Sequence, residues 1–276
     1  MTTMTRILTG PDSVRSDDAS SVRVQLVAGA LEVVPRDEPG VLVEVTEVTG
    51  QPLEVSTEAD RVSIGYPSIG WDGWLKRLTT AADTADRAVV RLHVGAGVTV
   101  TAATVSAAVR ATGTTGDLDV STASAPVETA RTTGGVKVRT ASGAVAVDGH
   151  AGPVTVATAS GDVRLDGELP RVSVTTVAGG IDLRHRGDAA VLSTTTVSGH
   201  THVHLPAAAA LELEARGVAA QVSVDGHQQR AGFGITKVQE AGHGGRVLLT
   251  ATTVSGEVVV ERKDPSPLPG ADGTTG

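Results

Sequence analysis

The sequence predicts an all-β chain, a single-chain β-solenoid whose coils of about 18–20 residues each carry two short strands, behind a less regular β N-terminal part. Three observations point there. The first is a nine-residue beat counted from Ala107 through Gly116, Ala125, Gly134, Gly143, Gly152, Gly161, Pro170, Gly179 and Asp188, mostly small or turn-forming residues. The second is an aliphatic pair two and four residues after most beats: Leu118/Val120, Val136/Val138, Val145/Val147, Val154/Val156, Val163/Leu165, Val172/Val174 and Ile181/Leu183. The third is composition. Two Trp, one Tyr and one Phe stand beside 33 Gly in 276 residues. Wide globular cores use rings to fill space, whereas Val, Leu, Ala and Thr suit a narrow, repetitive interior.

Taken in order, residues 1–20 are polar and aperiodic and read as a loose lead-in. Residues 21–104 form an N-terminal β-strand region. Val22, Val24 and Leu26 alternate, then Leu31/Val33, Val41/Val43/Val45, Leu53/Val55 and Val62/Ile64, each the period-2 pattern of a half-buried strand. Residues 66–87 interrupt the pattern with Tyr66, Trp71 and Trp74; Trp71, Trp74, Leu75 and Leu78 have helical spacing, so this segment reads as a short helix or loop covering the early strands. Strands resume over 88–94 and 98–104. The regular solenoid spans 105–262. Its turns alternate between Thr-Ala-Ser-Gly (122–125 in variant form, 140–143, 158–161) and Asp-Gly-x-x-Gly/Pro (148–152, 166–170), so the true unit is two nines. An insertion at 227–246 precedes a last unit over 247–260. The tail, 263–276, is rich in Pro and Gly and reads as disordered.

The pattern makes a solenoid because alternate strand residues share a face. Each Val-x-Val turns both side chains inward, and Gly turns the corners. A buried Val contributes roughly 1.5–2 kcal/mol, while ordering a residue costs about 1.5 kcal/mol. One coil therefore cannot fold alone, and several stacked coils can. Open strand edges invite aggregation; residues 66–87 and 227–246 are the expected covers.

Composition also excludes function classes. The net charge is −8, and no basic stripe interleaves with rings, so nucleic-acid binding is not expected. Without Cys there are no disulfides, thiolate metal sites or thiol nucleophiles. Neither a signal-peptide pattern nor an apolar run of about 20 residues is seen, and a cytoplasmic location is expected. The sharpest local motif is His200, His202 and His204 in Gly-His-Thr-His-Val-His-Leu. On a strand they share one face roughly 6.5–7 Å apart, outward because Val203 and Leu205 take the inward side. A solvated stripe is the plain reading and a metal site the sharper one, since two neighbours can reach one ion. No calcium-roll motif, phosphate-binding Gly loop or catalytic Ser/His/Asp set emerges, and neither catalytic residues nor a cofactor is expected. Trp71, Trp74 and Phe233 are the candidates for contact with a partner.

The march of Thr-Ala-Ser-Gly-x-Val-x-Val through 140–147, 158–165, 176–183, 196–203 and 253–260 resembles a bacterial family of β-strand-repeat proteins of unknown function described as candidate adhesins. The resemblance runs over about residues 20–262. It implies a solenoid-like all-β fold and no established catalytic residues. It also implies a non-enzymatic, adhesin-like scaffold or interaction protein in cell-envelope or stress physiology, with a protein partner or self-association. The alternative is a carbohydrate-active β-helix enzyme or sugar-binding module.

Overall fold

The structure, a computed structural model, describes residues 4–66, 86–229 and 234–263. The chain begins with β1 (Met4–Leu8), β2 (Asp12–Ser16), β3 (Ser21–Leu26), β4 (Ala28–Pro35), β5 (Val41–Thr49), β6 (Leu53–Glu58), β7 (Arg61–Gly65) and β8 (Arg87–Val94). The regular part holds β9 (Thr99–Thr104), β10 (Ala108–Thr112), β11 (Leu118–Thr122), β12 (Val127–Ala130), β13 (Val136–Thr140), β14 (Val145–Ala151), β15 (Val154–Thr158), β16 (Val163–Glu168), β17 (Arg171–Ala178) and β18 (Ile181–His185). Three long strands and two short ones follow: β19 (Ala190–Leu205), β20 (Ala210–Val224), β21 (His227–Gln229), β22 (Gly234–Glu240) and β23 (Arg246–Arg262).

Coils stack in parallel register. Leu118 lies opposite Val136, and Val136 opposite Val154, a step of 18 residues. Val145, Val163 and Ile181 stand in one column, as do Val147, Leu165 and Leu183. The odd strands β9 to β17 make a front face and the even strands β10 to β18 a back face. Their inward aliphatics meet in one continuous core, with Leu165 and Leu183 fully buried.

Each letter of Thr-Ala-Ser-Gly has a physical task at the corner between faces. Thr140 Oγ1 accepts the Gly143 N–H at 2.8 Å, and Thr158 Oγ1 that of Gly161 at 3.0 Å. Ala points out. The Ser160 hydroxyl donates to the Ala141 carbonyl one coil back. Gly lets the backbones close: a Cβ on Gly161 would sit 2.0 Å from the Gly143 carbonyl oxygen.

The chain does not stack in sequence order at its ends. Coil β3–β4 lies between coil β7–β8 and coil β9–β10. At the other end the last coil, β23, lies between β19 and β20 along both faces. Antiparallel strands close each end: β1–β6–β7 and β2–β5–β8 at one, β22 and β21 on β20 at the other. Most of each outer parallel edge is thus covered, with residues 218–221 of β20 lying between the β22 and β21 ladders, which blunts edge-to-edge association. Strands β21 (His227–Gln229) and β22 (Gly234–Glu240) supply the cover at the far end. The 66–87 segment falls outside the described residues except for Tyr66, Asp86 and Arg87. Tyr66 is buried, and burial pushes its hydroxyl up to about 12.

Within the 1–20 lead-in expected to be loose, the described residues 4–20 hold the strands β1 and β2. These strands turn only Leu8 and Val14 into the core and leave Met4 and Ile7 exposed. Their order comes from the backbone ladder to β6 and β5, which a hydropathy pattern does not display.

Candidate functional site

The second half of β19 carries the histidines. Thr201, Val203 and Leu205 are buried inward, so His200, His202 and His204 face out from the back face. The neighbouring strands set their surroundings. Asp182 of β18 and Val259 of β23 flank His202; Arg184 and Glu261 flank His204. The three imidazoles are not the even stripe that strand spacing suggests. The His202 and His204 rings tilt together, with centroids 4.3 Å apart, while His200 stays exposed over Gly180.

Glu261 reaches into this pair. Its carboxylate oxygens lie 3.6 Å from His202 Nε2 and 3.8 Å from His204 Nδ1. Asp182 Oδ1 stands 3.7 Å from the other nitrogen, His204 Nε2. These separations exceed a hydrogen bond, and the His202 Nε2 atom is buried without a hydrogen-bond partner. Burial holds His204 below the usual imidazole range; His202 and Arg184 add to that, and the Asp182 and Glu261 charges oppose it. His202, His204 and Glu261 each offer a ligand atom, all within 4.8 Å of one another. Sequence reasoning missed Glu261 because its place beside His204 depends on β23 lying next to β19.

A second feature is an apolar edge at the corner between the faces. Thr-Ala-Ser-Gly becomes Thr-Val-Ala-Gly at 176–179 and Thr-Val-Ser-Gly at 196–199 and 253–256. β-Branched Val favours extended backbone. Here β19, β23 and β20 run straight through the corner and join both faces into one sheet. Val105 is a Val in the same motif at a bend, so the residue alone does not straighten the corner. In register, Val177, Val197, Val254 and Val218 follow one another across β17, β19, β23 and β20, each 45–54% exposed. A row of Thr175, Thr195 and Thr252 runs beside them.

The two acids of the front-face groove are occupied. A shallow groove of about 340 Å³ on the front face is lined by Asp117, Asp119 and Lys137 among others. Asp117 Oδ1 accepts the Gly135 N–H at 2.7 Å, and Asp119 pairs with Arg139 at 3.0 Å. Two further histidines, unremarked in the sequence, are buried at a corner. His150 Nδ1 lies 2.9 Å from the Thr132 hydroxyl, and His185 Nδ1 accepts the Leu169 N–H at 3.2 Å. Trp71, Trp74 and Phe233 lie outside the described residues.

Among the described residues no helix is long and apolar enough to cross a membrane. No curated protein matches this chain. Three crystal structures are similar to it. A candidate lipid-binding protein of Parabacteroides distasonis is 13% identical, with 93% of this chain and 98% of that one covered and a TM-score of 0.45. A candidate adhesin of Bacteroides fragilis is 9% identical, with 94% and 97% covered and a TM-score of 0.41. A candidate cell adhesion protein of Clostridium sporogenes is 11% identical, with 91% and 99% covered and a TM-score of 0.25. The model of the Toastrack DUF4097 family matches residues 29–261, and the chain belongs to that family.

Proposed function

We propose that this protein is a non-enzymatic scaffold that associates with protein, a second copy of itself included, along the Val edge of its C-terminal coils. The observation that carries the reading is the run of Val177, Val197, Val254 and Val218 on four adjacent strands. At about 4.8 Å per strand the row is roughly 14 Å long. Single exposed aliphatics are ordinary, whereas a contiguous row beside hydroxyls is a contact surface in search of cover. Its two central strands, β19 and β23, are laddered on both sides through the corner, so little order is lost on binding.

The test is sedimentation equilibrium together with photo-crosslinking from a reactive side chain at position 197. Crosslinks that map to protein, and their loss in the V197T/V254T double variant, are expected. Thr keeps the β-branched shape, so the fold is retained while the apolar edge becomes polar. A monomer that forms no crosslinks to any protein in its native extract would overturn the reading, as would cleavage of a polysaccharide panel by the purified chain.

A further inference from the structure

We propose that His202, His204 and Glu261 form a three-ligand site for a divalent first-row transition ion, for which Zn²⁺ is the fitting probe. The Glu261 carboxylate faces both imidazoles at distances too long for hydrogen bonds, 3.6 Å to His202 Nε2 and 3.8 Å to His204 Nδ1. In a tetrahedral zinc site with metal–ligand lengths of about 2.0–2.2 Å, neighbouring ligand atoms are about 3.3 Å apart. The two separations, one to each Glu261 oxygen, are a few tenths of an ångström wider than that edge, and one ligand atom from each of the three residues lies within 4.8 Å of the others, a span that side-chain adjustment can close.

Two further observations point the same way. The two rings converge instead of spreading along the strand. The buried His202 Nε2 has no hydrogen-bond partner, and such an atom is costly unless something satisfies it. Asp182 completes the pattern from the opposite side. Its Oδ1 faces His204 Nε2, the nitrogen left over once Nδ1 is used, which is how a carboxylate orients a ligating imidazole. Two imidazoles and one carboxylate select zinc-like ions over Ca²⁺ or Mg²⁺, which want six or more oxygens. Three protein ligands leave the fourth position to water.

The location gives the ion a structural task. His202 and His204 lie on β19, Glu261 on β23 and Asp182 on β18. A bound ion ties the out-of-order last coil to the coil that precedes it in space. The inference is independent of the Val edge, which lies at the corner.

Titration calorimetry of the full chain, prepared without a histidine tag, tests it with Zn²⁺ and separately with Ca²⁺. One Zn²⁺ per chain is expected. His202→Ala and His204→Ala each weaken binding 100-fold or more, and Asp182→Asn weakens it 10–100-fold. His200→Ala leaves it unchanged. Zn²⁺ raises the melting temperature of the wild-type chain and not that of His204→Ala, with circular dichroism confirming that each variant is folded. No heat and no thermal shift with Zn²⁺ would overturn the site. So would equal affinity for Ca²⁺, or a loss in His200→Ala as large as in His204→Ala.

Discussion

Replacing Gly161 by Ala is the sharpest perturbation of the corner. Gly161 has no unusual backbone angle, so the effect is purely one of space. The added Cβ would meet the Gly143 carbonyl oxygen at 2.0 Å and its carbon at 2.8 Å. An ordinary carbon–oxygen contact is about 3.3 Å, so the coils must part by about 1.3 Å at a corner where strands are about 4.8 Å apart. The obstacle is backbone and cannot rotate away. Parting strains the Ser160 N–H bond to the Ala141 carbonyl at 3.1 Å and the Val145 N–H bond to the Asp162 carbonyl at 2.9 Å, both between coils, and pushing Gly161 off Gly143 strains its own N–H bond to Thr158 Oγ1 at 3.0 Å. At about 0.5–1.5 kcal/mol each, the variant loses roughly 2–4 kcal/mol. For a chain of this size that lowers the melting temperature by roughly 4–16 °C. Gly97→Ala is the control. Nothing lies within 4 Å of its Cβ, and only its φ of +75° is at stake, a cost of about 1–2 kcal/mol. Thermal melts followed by circular dichroism compare the two. A Gly161→Ala variant that melts at or above Gly97→Ala would refute the close-approach reasoning.

Other outcomes follow from the same geometry. Leu165→Ala, in the Val147–Leu165–Leu183 column and fully buried, destabilises by about 2–5 kcal/mol in urea unfolding; a loss below about 1 kcal/mol would mean the column is not packed. Burial holds His150 and His185 below the ordinary imidazole value of 6.5. The unfolded chain then binds more protons, so the stability from these neutral rings is complete above pH 6.5 and lost as the pH falls below it. Unfolding at about pH 7.5 and 5.5 checks this: the wild-type chain loses more stability on acidification than His150→Gln/His185→Gln, and an equal loss contradicts it. Arg262 clamps the end of β23 through Asp225, with Nε and Nη2 at 2.8 and 2.6 Å from Oδ2, and through the Ala241 carbonyl at 3.1 Å. Arg262→Met costs about 1–3 kcal/mol, and hydrogen exchange of β22 and β23 rises; unchanged exchange there would show the clamp to be idle.

The middle coils were legible because inward Val and corner Gly repeat on a fixed beat, and that beat alone sets which residues stack. What the beat cannot show is which edge a strand joins, since backbone ladders carry no side-chain signature. Thr-Val-Ser-Gly at 196–199 and again at 253–256 was the available clue. Gly256 closes on the Gly199 carbonyl oxygen, where a Cβ would stand at 2.1 Å, whereas the intervening coil has Ala220 in register with Gly256. Stacking Gly256 on Gly199 puts β23 beside β19. The same step brings Glu261 to His204, so the histidine cluster was only half visible: its nitrogen donors sit in one short motif, and its carboxylate arrives by topology. β1 and β2 were missed for a related reason, being held by ladders more than by burial.

The middle of the fold is a stack of interchangeable coils along one axis. Removing residues 142–159 joins Ala141 to Ser160 and restores an intact Thr-Ala-Ser-Gly corner, while Val127 and Val163 inherit each other as neighbours. Small-angle scattering and circular dichroism on that variant should show a folded β chain shortened by about 4.8 Å along its axis. A collapsed or unfolded chain would contradict the stacking of independent coils.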